Sequence, residues 1–116
     1  MPHITLYQKP TCTTCRKVYA ILKKKGADFE SINYYFDPIP KEKLKELLFK
    51  LKMSAKDLMR KNEPIYEELE LDRHNYSEDY LMDLMIKHPD LIQRPIVERA
   101  GKAVLARPPE KILEIL

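Results

Sequence analysis

Cys12 and Cys15 are the only cysteines of the chain, and they lie at the seam between a strand-like and a helix-like run. Before them, HITLYQ reads as a short buried strand with Ile4 and Leu6 on one face. The segment KPT breaks it. A helix is expected to begin between residues 11 and 13 and to run to 25, with Val18, Ile21 and Leu22 at helical spacing. KKKG is a stop: lysines at the negative end of the helix, then Gly26 as a left-handed cap. DFESINYYF follows as a second strand through Phe29, Ile32 and Tyr34. Strand, helix and strand joined by a short crossover predict a parallel pair, with the cysteines at its first strand-to-helix turn.

The middle of the chain changes period. After DPIP (37–40), Leu44, Leu47, Leu48 and Leu51 mark one helical face. A short helix is expected over 55–61 with Ser54 as N-cap, and another from Pro64 to residue 69. YSEDYLMDLMIKHP reads as a further helix, capped by Ser77 and ended by Pro89. RPIVERAGKAVLAR then reads as a β-hairpin turning at 99–102, and PPEKILEIL as a closing helix with Ile112, Leu113 and Leu116 inward. The Tyr34–Tyr35–Phe36 run and the methionines Met82 and Met85 read as core, the lysines of 41–52 as a solvated helix face, and His88 as a helix-end residue. The class is α/β, one domain over 1–116, with a helical insertion at about 41–88.

Composition narrows the function classes. The 116 residues are 44% hydrophobic and 34% charged, which fits one soluble globular domain. The net charge of +3 gives no argument for nucleic acid, and none is expected as a direct partner. No apolar run approaches the roughly 20 residues of a membrane helix, and MPHITLYQKP lacks the apolar stretch of a secretory leader. The expected location is the cytoplasm. In a reducing compartment a close cysteine pair is more often catalytic or metal-binding than a structural bridge.

A zinc site needs two more ligands, usually a second close pair. The histidines His3, His74 and His88 are scattered and there is no other cysteine, so no metal is expected. The first turn of a helix, in contrast, offers free N–H groups and partial positive charge, both of which favour thiolate. Lys9, Arg16 and Lys17 add cations. Cys12, nearer the helix mouth, is the expected nucleophile. Cys15 lies one turn along the same face, at a Cα separation of ~5–6 Å that suits a disulfide.

Three arginines stand at unusual places: Arg60 before KNEP, Arg94 before Pro95 at a strand start, and Arg107 before PP. Each alone reads as a surface charge. Spacing does not bring them together; where guanidinium forks do converge, they suit tetrahedral oxyanions such as arsenate or phosphate.

Taken together, PTCTTCRK at a helix start, RKNEPIYEELEL, HPDLIQRPIV and ARPPEKILEIL resemble the glutaredoxin-linked arsenate reductase family of thioredoxin-like proteins. That family also includes the Spx-type transcription regulators, and the resemblance covers essentially the whole chain. It implies a thioredoxin-like fold: a small mixed four-stranded sheet, flanking helices, and a helical insertion between strands 2 and 3. It implies that Cys12 attacks arsenate, that Arg60, Arg94 and Arg107 hold the oxyanion, and that Pro95 is the cis-proline. Thr14 and Arg16 match the threonine and arginine just beyond the catalytic cysteine.

Two departures stand out. The family usually carries HNPxC where this chain has QKPTC, so Gln8 replaces a histidine, and Cys15 replaces a serine. Cys15 is therefore expected to resolve the Cys12 adduct into a Cys12–Cys15 disulfide. No cofactor is expected to be bound; the reductant would be glutathione, glutaredoxin or thioredoxin. Two alternatives follow from the same pair: an Spx-type redox sensor binding the RNA polymerase α subunit, and a general thiol–disulfide reductase with no arsenic role. Arg107, which Spx-type regulators lack, favours the reductase.

Overall fold

The structure, a computed structural model, describes residues 3–116; Met1 and Pro2, the start of the run read above for a leader, lie outside them. The chain divides into two compact units, one of residues up to 37 together with 94–116, the other of 38–93.

The first unit is built on one sheet. β1 (Ile4–Gln8) leads through α1 (Thr13–Lys24) to β2 (Phe29–Asn33), and β3 (Ile96–Arg99) and β4 (Lys102–Leu105) complete it. The strand order is β2-β1-β3-β4. β1 and β2 are parallel, with Gln8 opposite Asn33, as the short crossover predicts. β3 runs antiparallel to β1, with Ile96 opposite Tyr7, and β4 antiparallel to β3, with Leu105 opposite Ile96. This is the mixed four-stranded sheet of an α/β, thioredoxin-like fold, with the chain between β2 and β3 helical.

The core is the apolar face of α1 against one face of the sheet. Ile4, Leu6, Val18, Leu22, Val97, Val104, Ala106, Ile112 and Ile115 form one buried cluster, with Ile21, Ala27 and Phe29 packed on it. Each fully buried aliphatic side chain contributes about 1.5–3 kcal/mol. α1 stops where its sequence says. Gly26 takes a φ of +67°, and the N–H groups of Gly26 and Ala27 turn back to the carbonyls of Lys23 and Leu22.

Two expectations fail here. β2 ends at Asn33 rather than continuing to residue 36. The Asn33 side-chain oxygen accepts from the Tyr35 N–H at 3.0 Å, and its carbonyl accepts from Phe36 and Asp37, so asparagine closes the strand with a turn of its own making. As a result Tyr34 is buried, Tyr35 is half-buried and Phe36 is 88% exposed, so Phe36 is not core. The closing segment is a 3-10 turn, Pro109–Glu114, not an α-helix. With three residues per turn, Ile112 and Ile115 share the inward side, while Leu113 and Leu116 are exposed.

The second unit holds α2 (Lys41–Leu51), α3 (Ala55–Leu58), α4 (Pro64–Glu68) and α5 (Glu78–Lys87), followed by a 3-10 turn at Pro89–Leu91. α5 packs against both α2 and α3. Ser54 caps α3 in a reciprocal arrangement with Asp57, and Ser77 caps α5. Met82 and Met85 are buried, as expected. The α2 lysines are not simply solvated: Lys41 pairs with Asp79 at 2.8 Å and Asp83 at 2.9 Å. α3 is shorter than the expected 55–61, because Met59 leaves the helix to bridge Ile92 in antiparallel fashion. Among the described residues no helix is long and apolar enough to cross a membrane.

Candidate active site

The strand directions decide what meets at one edge of the sheet. Parallel strands β1 and β2 both leave the sheet at the Gln8–Asn33 edge. β3, antiparallel to β1, enters there, and β4 leaves there. The residues just past Gln8, just past Asn33, just before Ile96 and just past Leu105 are therefore neighbours. They include Cys12, the tyrosine pair Tyr34–Tyr35, Arg94 with Pro95, and Arg107.

Cys12 is the N-cap of α1. Its N–H donates to the Lys9 carbonyl at 2.9 Å, which turns the chain off β1, and its carbonyl accepts from Arg16 at 3.0 Å. Its sulfur accepts from the Cys15 N–H at 3.4 Å, taking the place that a serine or aspartate oxygen fills in an ordinary cap. The first turn of α1 carries no acidic residue, so no carboxylate competes for its positive end.

The two thiols differ sharply. Cys12 is partly exposed and Cys15 is fully buried; both are free. Burial opposes charge on Cys12, but it is outweighed by hydrogen bonds from the Cys15 side chain and backbone and by the charge and hydrogen bond of Arg94, so the thiol sits below its ordinary value. Cys15 moves the other way. Burial, followed by its hydrogen bond to Cys12 and the Cys12 charge, pushes it up to about 12. Of the two thiols, Cys12 is therefore the more acidic and the more accessible, while Cys15 holds its proton.

Arg94, distant in sequence, is a cation that acts on the sulfur. The Lys9 ammonium lies over the Tyr35 ring, 4.7 Å from its centre, and the Arg16 Nε donates to the Pro10 carbonyl at 3.2 Å. Arg94 is only 8% exposed, and its Nε has no hydrogen-bond partner among the described residues. A buried guanidinium N–H without a partner is costly unless something anionic completes it. Its Nη1 donates to the Tyr35 hydroxyl at 3.5 Å.

The Arg94–Pro95 peptide is cis, as is Arg107–Pro108. The Pro95 carbonyl accepts from the Ala106 N–H at 3.0 Å, joining the entry of β3 to the exit of β4. Arg107, on that exit, donates through Nη1 to the Arg94 carbonyl at 2.9 Å.

Of the residues singled out in the sequence, Cys12, Cys15, Arg94 and Arg107 are thus linked by hydrogen bonds or charge. Thr14, half-buried, and Arg16, exposed, lie in the first turn of α1. Arg60 belongs to the helical unit. There its Nε donates to Glu63 Oε1 at 3.0 Å and its N–H to the Leu91 carbonyl at 2.7 Å. Gln8, where the family pattern has histidine, is buried and donates to the Ser31 hydroxyl. The sequence reading missed Tyr34 and Tyr35, which it assigned to core only. The signal was available: two tyrosines just beyond a strand parallel to the one that carries the cysteines.

Among the described residues no group of three or more His, Cys, Asp and Glu side chains is placed to hold a metal ion.

The ArsC family model matches residues 7–115 of the chain. An uncharacterised protein of Escherichia coli, YfgD, is 40% identical over 114 residues, covering 97% of this chain and 96% of its own. The arsenate reductase of Escherichia coli is 38% identical over 116 residues, covering all of this chain and 82% of its own. The solved structure of an arsenate reductase from Vibrio cholerae superposes with a TM-score of 0.94 at 37% identity, over 99% of this chain and 98% of that one. A thiol at a helix mouth beside a buried arginine, on a sheet of this order, accords with those matches: the chain belongs to the ArsC family.

Proposed function

We propose that the chain is an arsenate reductase of the cytoplasm with Cys12 as its nucleophile. The observation that carries this reading is the Arg94 guanidinium beside a Cys12 thiol held below its ordinary value, with a buried Nε–H left over for an anion. The arsenate oxygens are bound by Arg94 and Arg107, and Thr14 and Arg16 line the approach at the first turn of α1. Arg60 enters from the likeness of its RKNEPIYEELEL segment to the family. Guanidinium groups neutralise the oxyanion charge that would otherwise repel a thiolate.

In the first step the Cys12 sulfur bonds to arsenic, and one arsenate oxygen leaves as water. In the second, a thiolate attacks the Cys12 sulfur. An S–S bond forms, the S–As bond breaks, and its electron pair stays on arsenic, which departs as arsenite. Two thiols are oxidised and one arsenic is reduced by two electrons. Cys15 is the resolving thiol in this reading. Its proton is held in part by the charge and hydrogen bond of the Cys12 thiolate, and both vanish once that sulfur is bonded to arsenic. Adduct formation therefore removes part of what holds the Cys15 proton. Glutathione, glutaredoxin or thioredoxin then reduces the disulfide. No bound cofactor takes part.

The test is a single turnover. Reduced protein mixed with arsenate, without added thiol, is expected to give about one arsenite per chain with loss of two thiols, and Cys15→Ser none until glutathione is added. No arsenite from the wild type, either alone or with glutathione and glutaredoxin, would sink the reductase reading. Arsenite from the wild type only when glutathione is present would remove Cys15 from the mechanism.

A further inference from the structure

Arg94 needs a reason to stay where it is. A guanidinium on a long side chain is held only by what its five N–H groups touch. Here Nε has no partner among the described residues, and Arg107 holds the Arg94 carbonyl rather than its side chain. Besides the Cys12 sulfur, what faces the guanidinium is the tyrosine pair. Tyr35 Oη accepts from Nη1 at 3.5 Å, the long end of a hydrogen bond, and the Tyr34 hydroxyl interacts with the same group. The two rings are 5.2 Å apart and tilted by 33°, so each limits the other.

Tyr35 has a second contact of interest. Lys9 sits over its ring, and the backbone of Lys9 accepts the Cys12 N–H. One side chain thus touches the arginine that acts on the sulfur and the loop that carries the sulfur. The Asn33 turn presents it there: the Asn33 side chain binds the Tyr35 N–H and takes the residue out of the strand.

We propose that Tyr35 is a positioning residue, whose hydroxyl aims the Arg94 guanidinium at Cys12 and whose ring seats Lys9 and with it the Cys12 loop. Its value for arsenate rests on the reductase reading; its action on the thiol does not. At 3.5 Å the bond is long. An oxyanion bound at Nε fixes the plane of the group and shortens the tyrosine bond.

The experiment uses full-length reduced protein with Tyr35→Phe, which keeps the ring, and Lys9→Met, which keeps a long side chain without the cation. The rate of Cys12 alkylation by iodoacetamide is followed across pH; Cys15 stays protonated and buried and does not compete. Tyr35→Phe is expected to lower the rate about threefold on the acid side of the titration, with its midpoint moved up, because Arg94 no longer points steadily at the sulfur. The KM for arsenate should rise several-fold with a smaller change in kcat, at unchanged Tm. Lys9→Met should move the alkylation midpoint the same way by less. An unchanged midpoint in a normally folded Tyr35→Phe would overturn the proposal. A wild type that reduces no arsenate would overturn the reductase reading, while the alkylation profile still decides the role of Tyr35.

Discussion

Two arginines flank the same strand, and they are opposites. Arg94 stands two residues before β3, buried, beside a thiol, with Nε unpartnered among the described residues. Arg99 is the last residue of β3, half-buried, and its Nη1 donates to the Ile115 carbonyl at 3.0 Å. Arg99 closes an open end: it ties the hairpin to the terminal turn and answers a carbonyl that the 3-10 turn leaves over. Arg94 leaves an end open. One end of β3 carries an incomplete polar group beside a thiol, as the proposed chemistry needs, while the other satisfies its own.

The sharpest way to break this contrast is to remove each arginine in turn. Arg94→Ala is expected to lower kcat/KM for arsenate by about 100-fold or more, the usual effect of losing a group that neutralises developing charge. Arg99→Ala should leave that ratio near the wild-type value and instead cost about 1–2 kcal/mol of stability by urea unfolding. Equal losses of activity in the two variants would erase the distinction between the two ends.

The thiols carry the next effect, through pH. The Cys15 thiol stays protonated in the fold up to about 12, whereas in the unfolded chain it ionises near its ordinary value of 9.0. Its contribution to stability is whole below pH 9. Between 9 and 12 the unfolded state sheds its proton first, so that contribution falls by up to about 1.4 kcal/mol per pH unit. Cys12, depressed in the fold, has the opposite sign: its contribution is present above 9.0 and is lost as pH falls through the folded value. Unfolding of reduced wild type and Cys15→Ser at pH 8.5–10.5 is expected to show the steeper decline in the wild type. Parallel slopes would mean that Cys15 ionises normally in the fold.

The smallest effect belongs to the hairpin beside Arg99. Ala100 holds a φ of +54°, while Gly101, the residue suited to such a value, sits one position later. Ala100→Gly is expected to stabilise the protein by about 0.5–1 kcal/mol with no change in activity, since relief of the left-handed backbone exceeds the added chain entropy. A loss of stability would show that the alanine side chain contributes more than its backbone costs.

How much of this was legible beforehand varies with the range of the interaction. Cys12 at a helix start, the left-handed Gly26 and the Ser54 and Ser77 caps are local facts, written within four residues of one another. An α-helical period does not give the inward side of the last segment, which is a 3-10 turn. At three residues per turn Ile115 replaces Leu113 and Leu116. Lys9, Arg16 and Lys17 are the cations near Cys12 in sequence, whereas Arg94, which acts on the sulfur, arrives only through the antiparallel pairing of β1 and β3. Tyr35 was harder still. Its place depends on where β2 stops, and that was decided by the side chain of Asn33.

The unequal burial of the two cysteines also sets a direction of traffic. In the proposed cycle, an incoming thiol would meet only the Cys12 sulfur of the disulfide, because Cys15 is closed off from solvent. The mixed disulfide would form on Cys12, with Cys15 as the sulfur that leaves. Electrons would then enter and exit by the same atom, and a trapping variant for the proposed reducing partner is the one that lacks Cys15, not the one that lacks Cys12.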